Sequence, residues 1–330
     1  MTVLVTGGAG YIGSHMVYAL LDAGERVVVL DNLATGFDWV VAQGTPFVVG
    51  DVGDQPLVNA LIAEHRIDAI IHFAASVVVP DSVRDPLGYY LNNAVKSRAL
   101  IEAAVKGAVR HFIFSSTAAV YGNPERVPAR EDDATVPTSP YGSSKLMTEI
   151  MLRDARRAHS LPHVILRYFN VAGADPRGRT GQSSQDATHL IKVATRAALG
   201  LRAKVDVFGA DYPTPDGTCI RDYIHVDDLA EAHLLALEKL SAGAELRYNL
   251  GIGKGYSVRE VIGTVEEVTG RKVPVREGPR RPGDPAVLVA SSDKIQRELG
   301  WRPRYAVLRP IVETAWNWHK NHPRGYRDRR

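Results

Sequence analysis

The sequence predicts an α/β fold, a doubly wound parallel sheet followed by a smaller mixed α/β substrate lobe. Short apolar runs alternate with helical segments over the first half of the chain, and these runs are too uniformly apolar for a sheet with a solvent-exposed face. The first run ends in a glycine-rich turn, and polar residues follow several of the others. Beyond residue 172 a polar, glycine-rich stretch leads into helices and short strands. A parallel sheet covered by helices on both faces explains the first part of this pattern.

The predicted elements follow one another in the order of a nucleotide-binding domain. Strands are predicted at residues 3–6, 26–30, 47–49, 69–73, 109–115 and 164–168, and helices at residues 14–23, 55–65, 87–106 and 141–159. The second lobe is predicted to contain helices near 187–200, 226–240, 257–269 and 308–319 and strands near 205–208, 246–249 and 273–275. We therefore predict a dinucleotide-binding domain at residues 1–172, with a contribution from about 221–242, and an interleaved substrate lobe at 173–330.

The first βαβ unit has the glycine spacing of a Rossmann-type dinucleotide-binding domain. Gly7 permits the tight turn after the strand, Gly10 lets the backbone approach a pyrophosphate, and Gly13 lets the helix pack closely on the strand. Free N–H groups and the helix dipole would bind the phosphates at the helix N-terminus. Asp31 ends the second strand, where a carboxylate binds the ribose of NAD and repels the additional phosphate of NADP. The unit therefore predicts NAD as the cofactor.

Further candidate residues follow the carboxyl ends of the predicted strands, where ligands of a doubly wound sheet bind. Asp51 and Val52 follow the third strand, and Phe73 and Ala74 end the fourth. We expect the adenine and its ribose to lie beside them. Thr117 follows the fifth strand next to the expected nicotinamide, and its hydroxyl is a candidate proton relay.

Tyr141 and Lys145 are the candidate catalytic pair. Their i, i+4 spacing places both side chains on one face of the helix predicted at 141–159. A phenol is a poor base at neutral pH, but a neighbouring ammonium group favours the phenolate and lowers the pKa of the tyrosine. The pair therefore predicts a base that removes the proton of a hydroxyl group and later returns it. The alternative is an exposed helical pair without function, which the glycine loop and Thr117 disfavour.

Arginines of the C-terminal lobe indicate the class of substrate. Arg221 lies among small and polar residues at 217–223, and Arg281 and Asp284 belong to the sequence RRPGD at 280–284. A guanidinium group binds phosphate through two parallel hydrogen bonds. Opposite a nucleotide-binding domain, these arginines predict a diphosphate substrate, with surface arginines in turns as the alternative.

Composition disfavours several other classes of protein. Of the 330 residues, 45% are hydrophobic and 23% are charged, as in soluble globular proteins. A net charge of +3 is too small to indicate a nucleic-acid partner, and no apolar run approaches the ~20 residues of a membrane-spanning helix. Cys219 is the only cysteine, which excludes an internal disulfide and suits a reducing compartment. Because no signal peptide is visible, we expect a cytoplasmic protein.

Ordered sequence motifs extend over essentially the whole chain. They are VTGGAGYIGSH at 5–15, LDNL at 30–33, GD at 50–51, HFAA at 72–75, FSSTAAVYG at 114–122, SPYGSSKLMTE at 139–149, LRYFNVAGA at 166–174, DGTCIRDYIHVDDLA at 216–230, YNLG at 248–251 and RRPGD at 280–284. In these motifs the chain resembles the extended short-chain dehydrogenase/reductase family, and within it the nucleotide-sugar epimerase branch.

The resemblance implies a role for each matching residue. Tyr141 would be the base on the 4-hydroxyl of a sugar, Lys145 would lower its pKa and bind the nicotinamide ribose, and Thr117 would hold and relay the proton. The implied NAD contacts are Gly7, Gly10, Tyr11, Ile12, Gly13, Asp31, Asn32, Asp51, Val52, Phe73, Ala74, Asn93, Tyr141, Lys145 and Tyr168. The implied UDP-sugar contacts are Thr117, Asn170, Leu190, Phe208, Arg221, Arg281 and Asp284. No metal is implied.

The resemblance also implies a reaction and an assembly. The reaction is the reversible 4-epimerisation of UDP-glucose and UDP-galactose through a 4-keto intermediate, with tightly bound NAD as the transient hydride acceptor, in galactose metabolism. The assembly is a homodimer through a four-helix interface formed by the helices predicted at 87–106 and 141–159.

The chain departs from the family pattern at three places. Val77 replaces a lysine that contacts the cofactor in many relatives, and the loop at 182–189 is less acidic than usual, which leaves its role as a lid open. At the position of Leu288, family members that reject N-acetylated sugars have a large residue and those that accept them have a small one. Leucine is intermediate in size and does not decide between the two.

Other functions remain as alternatives. A 4-epimerase for UDP-N-acetylhexosamines or UDP-pentoses would use the same chemistry. A nucleotide-sugar dehydratase would need an acid and a base directly after Thr117, where Ala118 and Ala119 stand instead. A nonenzymatic NAD-sensing regulator would be expected to lack the Tyr141 and Lys145 pair, which this chain keeps.

Overall fold

A seven-stranded parallel sheet forms the larger part of the structure, a computed structural model that describes residues 1–184, 188–240, 245–281 and 283–326. All its strand pairs are parallel. In spatial order the strands are β10 (Glu245–Leu250), β6 (His163–Tyr168), β5 (His111–Thr117), β4 (Ala69–His72), β1 (Thr2–Thr6), β2 (Arg26–Asp31) and β3 (Phe47–Val49). The predicted doubly wound α/β fold is confirmed.

Helices cover both faces of this sheet. On one face, α1 (Tyr11–Asp22) and α8 (Val226–Lys239) pack against the side chains of Val3 and Val5. On the other face, which receives Leu4, lie α2 (Gln55–His65), α5 (Lys96–Lys106) and α6 (Pro140–His159). Successive residues of β1 thus enter opposite cores. This explains why the three central residues of the strand, Val3, Leu4 and Val5, are all apolar.

The second lobe is built from small sheets and four helices. A four-stranded sheet contains β7 (Asn170–Ala172), β9 (Ile220–His225), β11 (Gly255–Ser257) and β13 (Val287–Leu288), and β8 (Val205–Phe208) pairs with β12 (Val275–Gly278). The helices are α7 (Leu190–Ala198), α9 (Val258–Thr269), α10 (Asp293–Leu299) and α11 (Leu308–Asn321). Ser257 and Glu260 form a capping box that fixes the start of α9.

Several helix and strand boundaries differ from the prediction. The first helix begins at Tyr11 instead of residue 14, because Gly10 is the extended residue that caps it. The helix predicted at 87–106 is divided into α4 (Pro86–Tyr89), a π-helical stretch (Tyr90–Val95) and α5, and a short helix α3 (Val79–Arg84) precedes it. The widened turn coincides with Asn93, whose side chain bonds the backbone of Ser76 instead of solvent. The strand predicted at 273–275 lies at 275–278.

The strand predicted near 246–249 was assigned to the second lobe, and that placement is wrong. This strand, β10, lies at the edge of the large sheet, where Tyr248 pairs with Leu166 and Leu250 with Tyr168. The chain returns to the sheet through α8, which packs in the same core cluster as α1, and β10 then pairs in parallel with β6. Of the helices in the described residues, none has both the length and the apolar character to cross a membrane.

Candidate active site

The turn after β1, called the dinucleotide cradle below, needs glycine at Gly7 and Gly13, where a side chain would clash with backbone atoms. Gly7 has a φ of +74°, and a Cβ there would lie 2.7 Å from the amide nitrogen of Ala74. A Cβ on Gly13 would lie 2.1 Å from the carbonyl oxygen of Gly7. Gly10 caps α1, and within the described chain no side chain bonds the first N–H groups of this helix. The amides of the first turn are therefore not bonded by a capping side chain, as a pyrophosphate site requires.

The predicted adenosine residues lie together at the ends of β2 and β3. The carboxylate of Asp31 accepts hydrogen bonds from the amides of Ala9 (3.0 Å) and Leu33 (2.8 Å), and its burial raises its pKa. The amide group of Asn32 donates to Asp51 over 3.4 Å, and Val52 beside it is buried. These contacts bring the residues together at the predicted edge of the sheet.

Lys96 is a neighbour of this group that the sequence did not reveal. Its Nζ lies 2.6 Å from a carboxylate oxygen of Asp51. Burial raises the pKa of Asp51, but the hydrogen bonds from Lys96 and from the amide of Gly53 outweigh it, and the pKa is lowered. Lys96 begins α5, so only the folded chain brings it to the end of β3.

Thr117, Tyr141 and Lys145 meet at the carboxyl end of β5. Thr117 is the last residue of that strand, and its hydroxyl lies near enough to the phenol of Tyr141, in the first turn of α6, to lower the pKa of that phenol. Lys145, only 3% exposed, donates from Nζ to the carbonyl oxygen of Ser115 over 2.9 Å and lies 4.9 Å from the ring centre of Phe114. The side chains predicted from their spacing thus share one buried site.

The pKa values at this site differ from the prediction. Burial raises the pKa of Tyr141 above its usual value, although the hydroxyl of Thr117 opposes this. Burial also lowers the pKa of Lys145 to about 7, so at neutral pH the amine is charged only part of the time. Lys145 is not among the groups that shift the pKa of Tyr141, and burial is the largest influence on it.

Asn93 supports the catalytic helix from the π-helical stretch. Its side-chain oxygen accepts from the amide of Ser76 over 2.8 Å, and its Nδ2 donates to the Ser76 carbonyl and to the hydroxyl of Ser144. Its own carbonyl accepts from the hydroxyls of Ser97 and Thr148. The residue is 1% exposed, so these bonds hold α6 against the preceding helix in a site closed to water.

Tyr168 and Phe73 flank a histidine that the sequence did not indicate. The phenol of Tyr168 lies 2.6 Å from Nε2 of His233, whose Nδ1 bonds the carbonyl of Leu229 over 2.8 Å. The ring of Phe73 lies 5.2 Å from the imidazole. Burial lowers the pKa of His233 to about 4, so the ring is neutral, donates to Leu229 and accepts from Tyr168. His233 lies on α8, and its role depends on tertiary packing.

The predicted UDP-binding residues of the second lobe form two contacting pairs. Arg221, in β9, lies with its Nη2 3.6 Å from Asp284, and its Nη1 bonds the carbonyl of Ile220. The guanidinium of Arg281 lies 3.8 Å from the ring centre of Phe208, in a stacked position. Both arginines are thus held in place before any ligand binds.

The remaining candidates lie on β7, β13 and α7. Asn170 begins β7 and pairs with Tyr223 of β9. Leu288 pairs with Arg221 and packs against the cluster that contains Ala118, directly after Thr117. Leu190 begins α7 and packs in the core of the second lobe.

The loop at 174–189 is described only in part, since residues 185–187 lie outside the described residues. Asp175 binds Arg179 within the loop, and Arg179 also reaches Asp22 on α1 over 3.0 Å. Val77, the departure from the family pattern, is 51% exposed. Within residues 1–184, 188–240, 245–281 and 283–326, no group of His, Cys, Asp or Glu side chains is arranged to hold a metal ion.

Comparison with known proteins gives consistent matches over the full length. A sequence model of the NAD dependent epimerase/dehydratase family matches residues 3–251. The chain belongs to this family.

The similar proteins share a single type of activity in their names. UDP-glucose 4-epimerase of Azospirillum brasilense is 56% identical over 320 residues, covering 97% of this chain and 92% of the relative. UDP-glucose 4-epimerase of Halalkalibacterium halodurans is 51% identical, covering 99% and 98% of the two chains. The crystal structure of UDP-glucose 4-epimerase from Bifidobacterium longum in complex with NAD+ and UDP is 39% identical, has a TM-score of 0.95 and covers 98% of this chain and 100% of that chain.

The cofactor of this NAD-dependent family is NAD, and the residues present fit it. Gly7 and Gly13 leave no room for a Cβ, and the amides that begin α1 have no capping side chain, which suits a pyrophosphate at this helix N-terminus. Asp31 at the end of β2 suits the ribose of the adenosine half. The predicted family and cofactor are confirmed.

Proposed function

We propose that this chain catalyses the reversible 4-epimerisation of UDP-glucose and UDP-galactose through a 4-keto intermediate. The observation that carries this proposal is the group formed by Thr117, the half-buried Tyr141 and the buried Lys145 at the carboxyl end of β5. The names of the similar proteins support the same reaction. Ala118 and Ala119 follow Thr117 and cannot transfer protons, which argues against a dehydratase.

In the proposed mechanism, Tyr141 accepts the proton of the sugar 4-hydroxyl and Thr117 relays it. The cradle at Gly7 and Gly13 and the carboxylate of Asp31 would hold NAD, which would supply a transient hydride acceptor for C4 and so allow inversion through the keto sugar. Burial raises the pKa of Tyr141, and positive charge beside the phenol, as from a protonated Lys145, would favour the phenolate against that cost. The base would therefore be activated when Lys145 is protonated and would be weak when it is neutral.

The second lobe would hold the substrate by its nucleotide while the sugar turns over. Arg221 and Arg281 are oriented by Asp284 and Phe208 and suit the two phosphates. We assign Asn170 and Leu190 to the same site. Leu288 lies between the arginine of β9 and the Thr117 side of the site, so its size would influence which sugars fit. UDP-N-acetylhexosamines and UDP-pentoses are the second candidate substrates.

We also propose that the protein is a homodimer through helices α3 to α6. Four apolar side chains on consecutive turns of this surface are exposed: Val83 (63%), Leu87 (77%), Leu91 (55%) and Val95 (53%). Met147 and Ile150 of α6 are exposed by 44% and 40%. An apolar surface of this kind is typical of a subunit interface. Leu87→Glu should give a monomer in light scattering, and a monomeric parent chain would contradict the assignment.

Activity can be tested with the purified chain and UDP-galactose, without added NAD, followed by chromatography of the nucleotide sugars. We expect UDP-glucose to form up to equilibrium and bound NAD to be released on denaturation. Conversion by the Tyr141→Phe variant at the parent rate would contradict the assigned base. No conversion even with added NAD would exclude the galactose reaction, and UDP-N-acetylgalactosamine and UDP-arabinose would then be tested.

The single cysteine and the proposed substrates support a place in the cytoplasm and in galactose metabolism.

A further inference from the structure

Glu149 of α6 and Arg167 of β6 form an ion pair inside the core. Nε of Arg167 donates to Oε1 of Glu149 over 3.0 Å, and Nη2 donates to Oε2 over 2.7 Å. The arginine side chain is 0% exposed and the glutamate side chain 5%. A two-pronged contact of this kind fixes both the distance and the rotation of the helix relative to the strand.

The glutamate is tied to the two elements that carry the proposed catalytic residues. Glu149 lies one helical turn beyond Lys145 on α6. It also accepts a hydrogen bond from the hydroxyl of Ser116, which directly precedes Thr117 in β5. The contact between Thr117 and Tyr141 spans the same two elements, so any slip of α6 along β5 would change it.

The arginine extends this network toward the substrate lobe. Arg167 directly precedes Tyr168, and its Nη1 donates to the phenol oxygen of Tyr121 over 2.8 Å. Tyr121 in turn donates to the side-chain oxygen of Asn249 in β10 over 2.7 Å, and Asn249 donates to the carbonyl of Ala129 over 3.0 Å. The backbone of Ala129 bonds Val289, next to Leu288. One polar network thus joins three sheet strands, the catalytic helix and the substrate side of the site.

Stability alone does not explain a buried ion pair. The desolvation of two charges offsets much of their attraction, and apolar side chains of similar volume are often as stable or more so. What a bidentate pair provides and an apolar contact lacks is a single allowed register. In this core that register places the end of β5, where Thr117 follows Ser116, against the helix that carries Tyr141.

We propose that Glu149 and Arg167 are positioning residues that hold the end of β5 against α6, so that Thr117, Tyr141 and Lys145 keep the geometry for proton transfer. The proposal rests on the proposed function for its kinetic part. Among the described residues, the hydrogen bonds of the two side chains go to each other, Ser116, Tyr121 and the backbone of Glu131, and not directly to a proposed substrate residue or to the dinucleotide cradle. The pair therefore acts on the rate of the chemical steps and leaves substrate binding nearly unchanged.

The test is the double variant Glu149→Met/Arg167→Met, which removes both charges and fills the space with apolar side chains. Either single variant would leave a buried charge unpaired and would risk unfolding. We expect the double variant to keep the melting temperature of the parent. Its kcat should fall by about 100-fold while KM changes by less than ~3-fold, because misplacement of about 1 Å costs that much in proton transfer.

A second variant and a control make the test independent of folding. Ser116→Ala removes the hydrogen bond from β5 to Glu149 and leaves the ion pair itself intact. We expect kcat to fall by about 10-fold, the effect of one hydrogen bond. The exposed pair Arg309 and Glu313 on α11, 3.1 Å apart, is the matched control. Its Met/Met replacement should leave kcat unchanged.

Amide hydrogen exchange gives a readout that does not need activity. The amide of Ala119 donates to Thr117 over 3.2 Å at the end of β5, and its exchange should accelerate in the double variant but not in the control. A folded double variant with parental kcat and parental exchange would overturn the proposal, as would a fully active Ser116→Ala variant. If the parent chain converts no UDP-sugar, the proposed function fails, and exchange at Ala119 still decides whether the pair holds the strand end.

Discussion

Replacing Gly13 by alanine should damage the dinucleotide cradle, although the same change in another helix should stabilise the protein. Alanine is favoured over glycine inside a helix by roughly 0.8–1 kcal/mol. Gly263 lies in the middle of α9, and a Cβ there meets nothing within 4 Å. Gly263→Ala should therefore raise the free energy of unfolding by about that amount.

At Gly13 a steric clash outweighs the same gain. The new Cβ would lie 2.1 Å from the carbonyl oxygen of Gly7, whereas a carbon–oxygen contact is about 3.3 Å. The loop and the helix must therefore separate by about 1 Å. Overpacking typically costs about 1–3 kcal/mol, and here the obstacle is backbone that cannot rotate away. We expect a net loss of about 2 kcal/mol, so the two variants should differ by about 3 kcal/mol.

Urea unfolding of parent and both variants measures this difference, with unchanged m-values as the control for two-state behaviour. The NAD released by denaturing each purified protein reports on the cradle. We expect Gly263→Ala to retain the parental amount and Gly13→Ala to lose most of it, since the separated loop no longer fits the pyrophosphate. Equal stability changes in both variants, or parental NAD content in Gly13→Ala, would refute the steric reasoning.

Further variants probe the base, the substrate lobe and a buried carboxyl group. Tyr141→Phe should lower kcat by about 10²–10⁴, the contribution of a general acid–base group, and leave the NAD content of the protein unchanged. Phe208→Ala should raise KM for UDP-galactose by about 3- to 30-fold at constant kcat, because Arg281 loses its stacking partner. Burial and nearby acids raise the pKa of Asp227 from 3.8 to about 7. The folded chain therefore holds this proton more tightly than the unfolded chain, and the resulting stability is lost as the pH rises through that window. In urea titrations Asp227→Asn should be more stable than the parent at about pH 8, with the difference vanishing near about pH 4.

Local sequence patterns were sufficient to predict the helices and strands whose own residues carry a clear apolar or glycine pattern. The glycines between β1 and α1 and the apolar run of β2 predicted the first βαβ unit, whose largest boundary error is at the start of the helix. The strands of the second lobe were harder, because β13 has two residues and β9 contains charged ones. Asp222 of β9 is 0% exposed, and its carboxylate accepts from the amides of Ile252, Gly253 and Ala290. A buried acid satisfied by distant backbone leaves no periodic signal in the sequence.

The same limit applies to the site. The spacing of Tyr141 and Lys145 was enough to place them on one helical face, and Thr117 followed from its position after a strand. His233 and Lys96 could not be found this way, since they reach Tyr168 and Asp51 from elements distant in the chain. The sign of the Tyr141 pKa shift depends on burial, which spacing does not report. The roles of the individual site residues stay predictions.

The position of β10 has a consequence for synthesis of the chain. A ribosome completes β6 long before residues 245–250 emerge, and α7, β8, β9 and α8 are made in between. During that time β6 forms the edge of the growing sheet, with a row of unpaired N–H and C=O groups that another chain can pair with. A fragment ending at residue 172 would keep this edge permanently. During synthesis, the amino-terminal half of the chain is therefore an intermediate that needs protection from aggregation until β10 covers this edge. For the same reason, the fragment ending at residue 172 is a poor choice for expression alone.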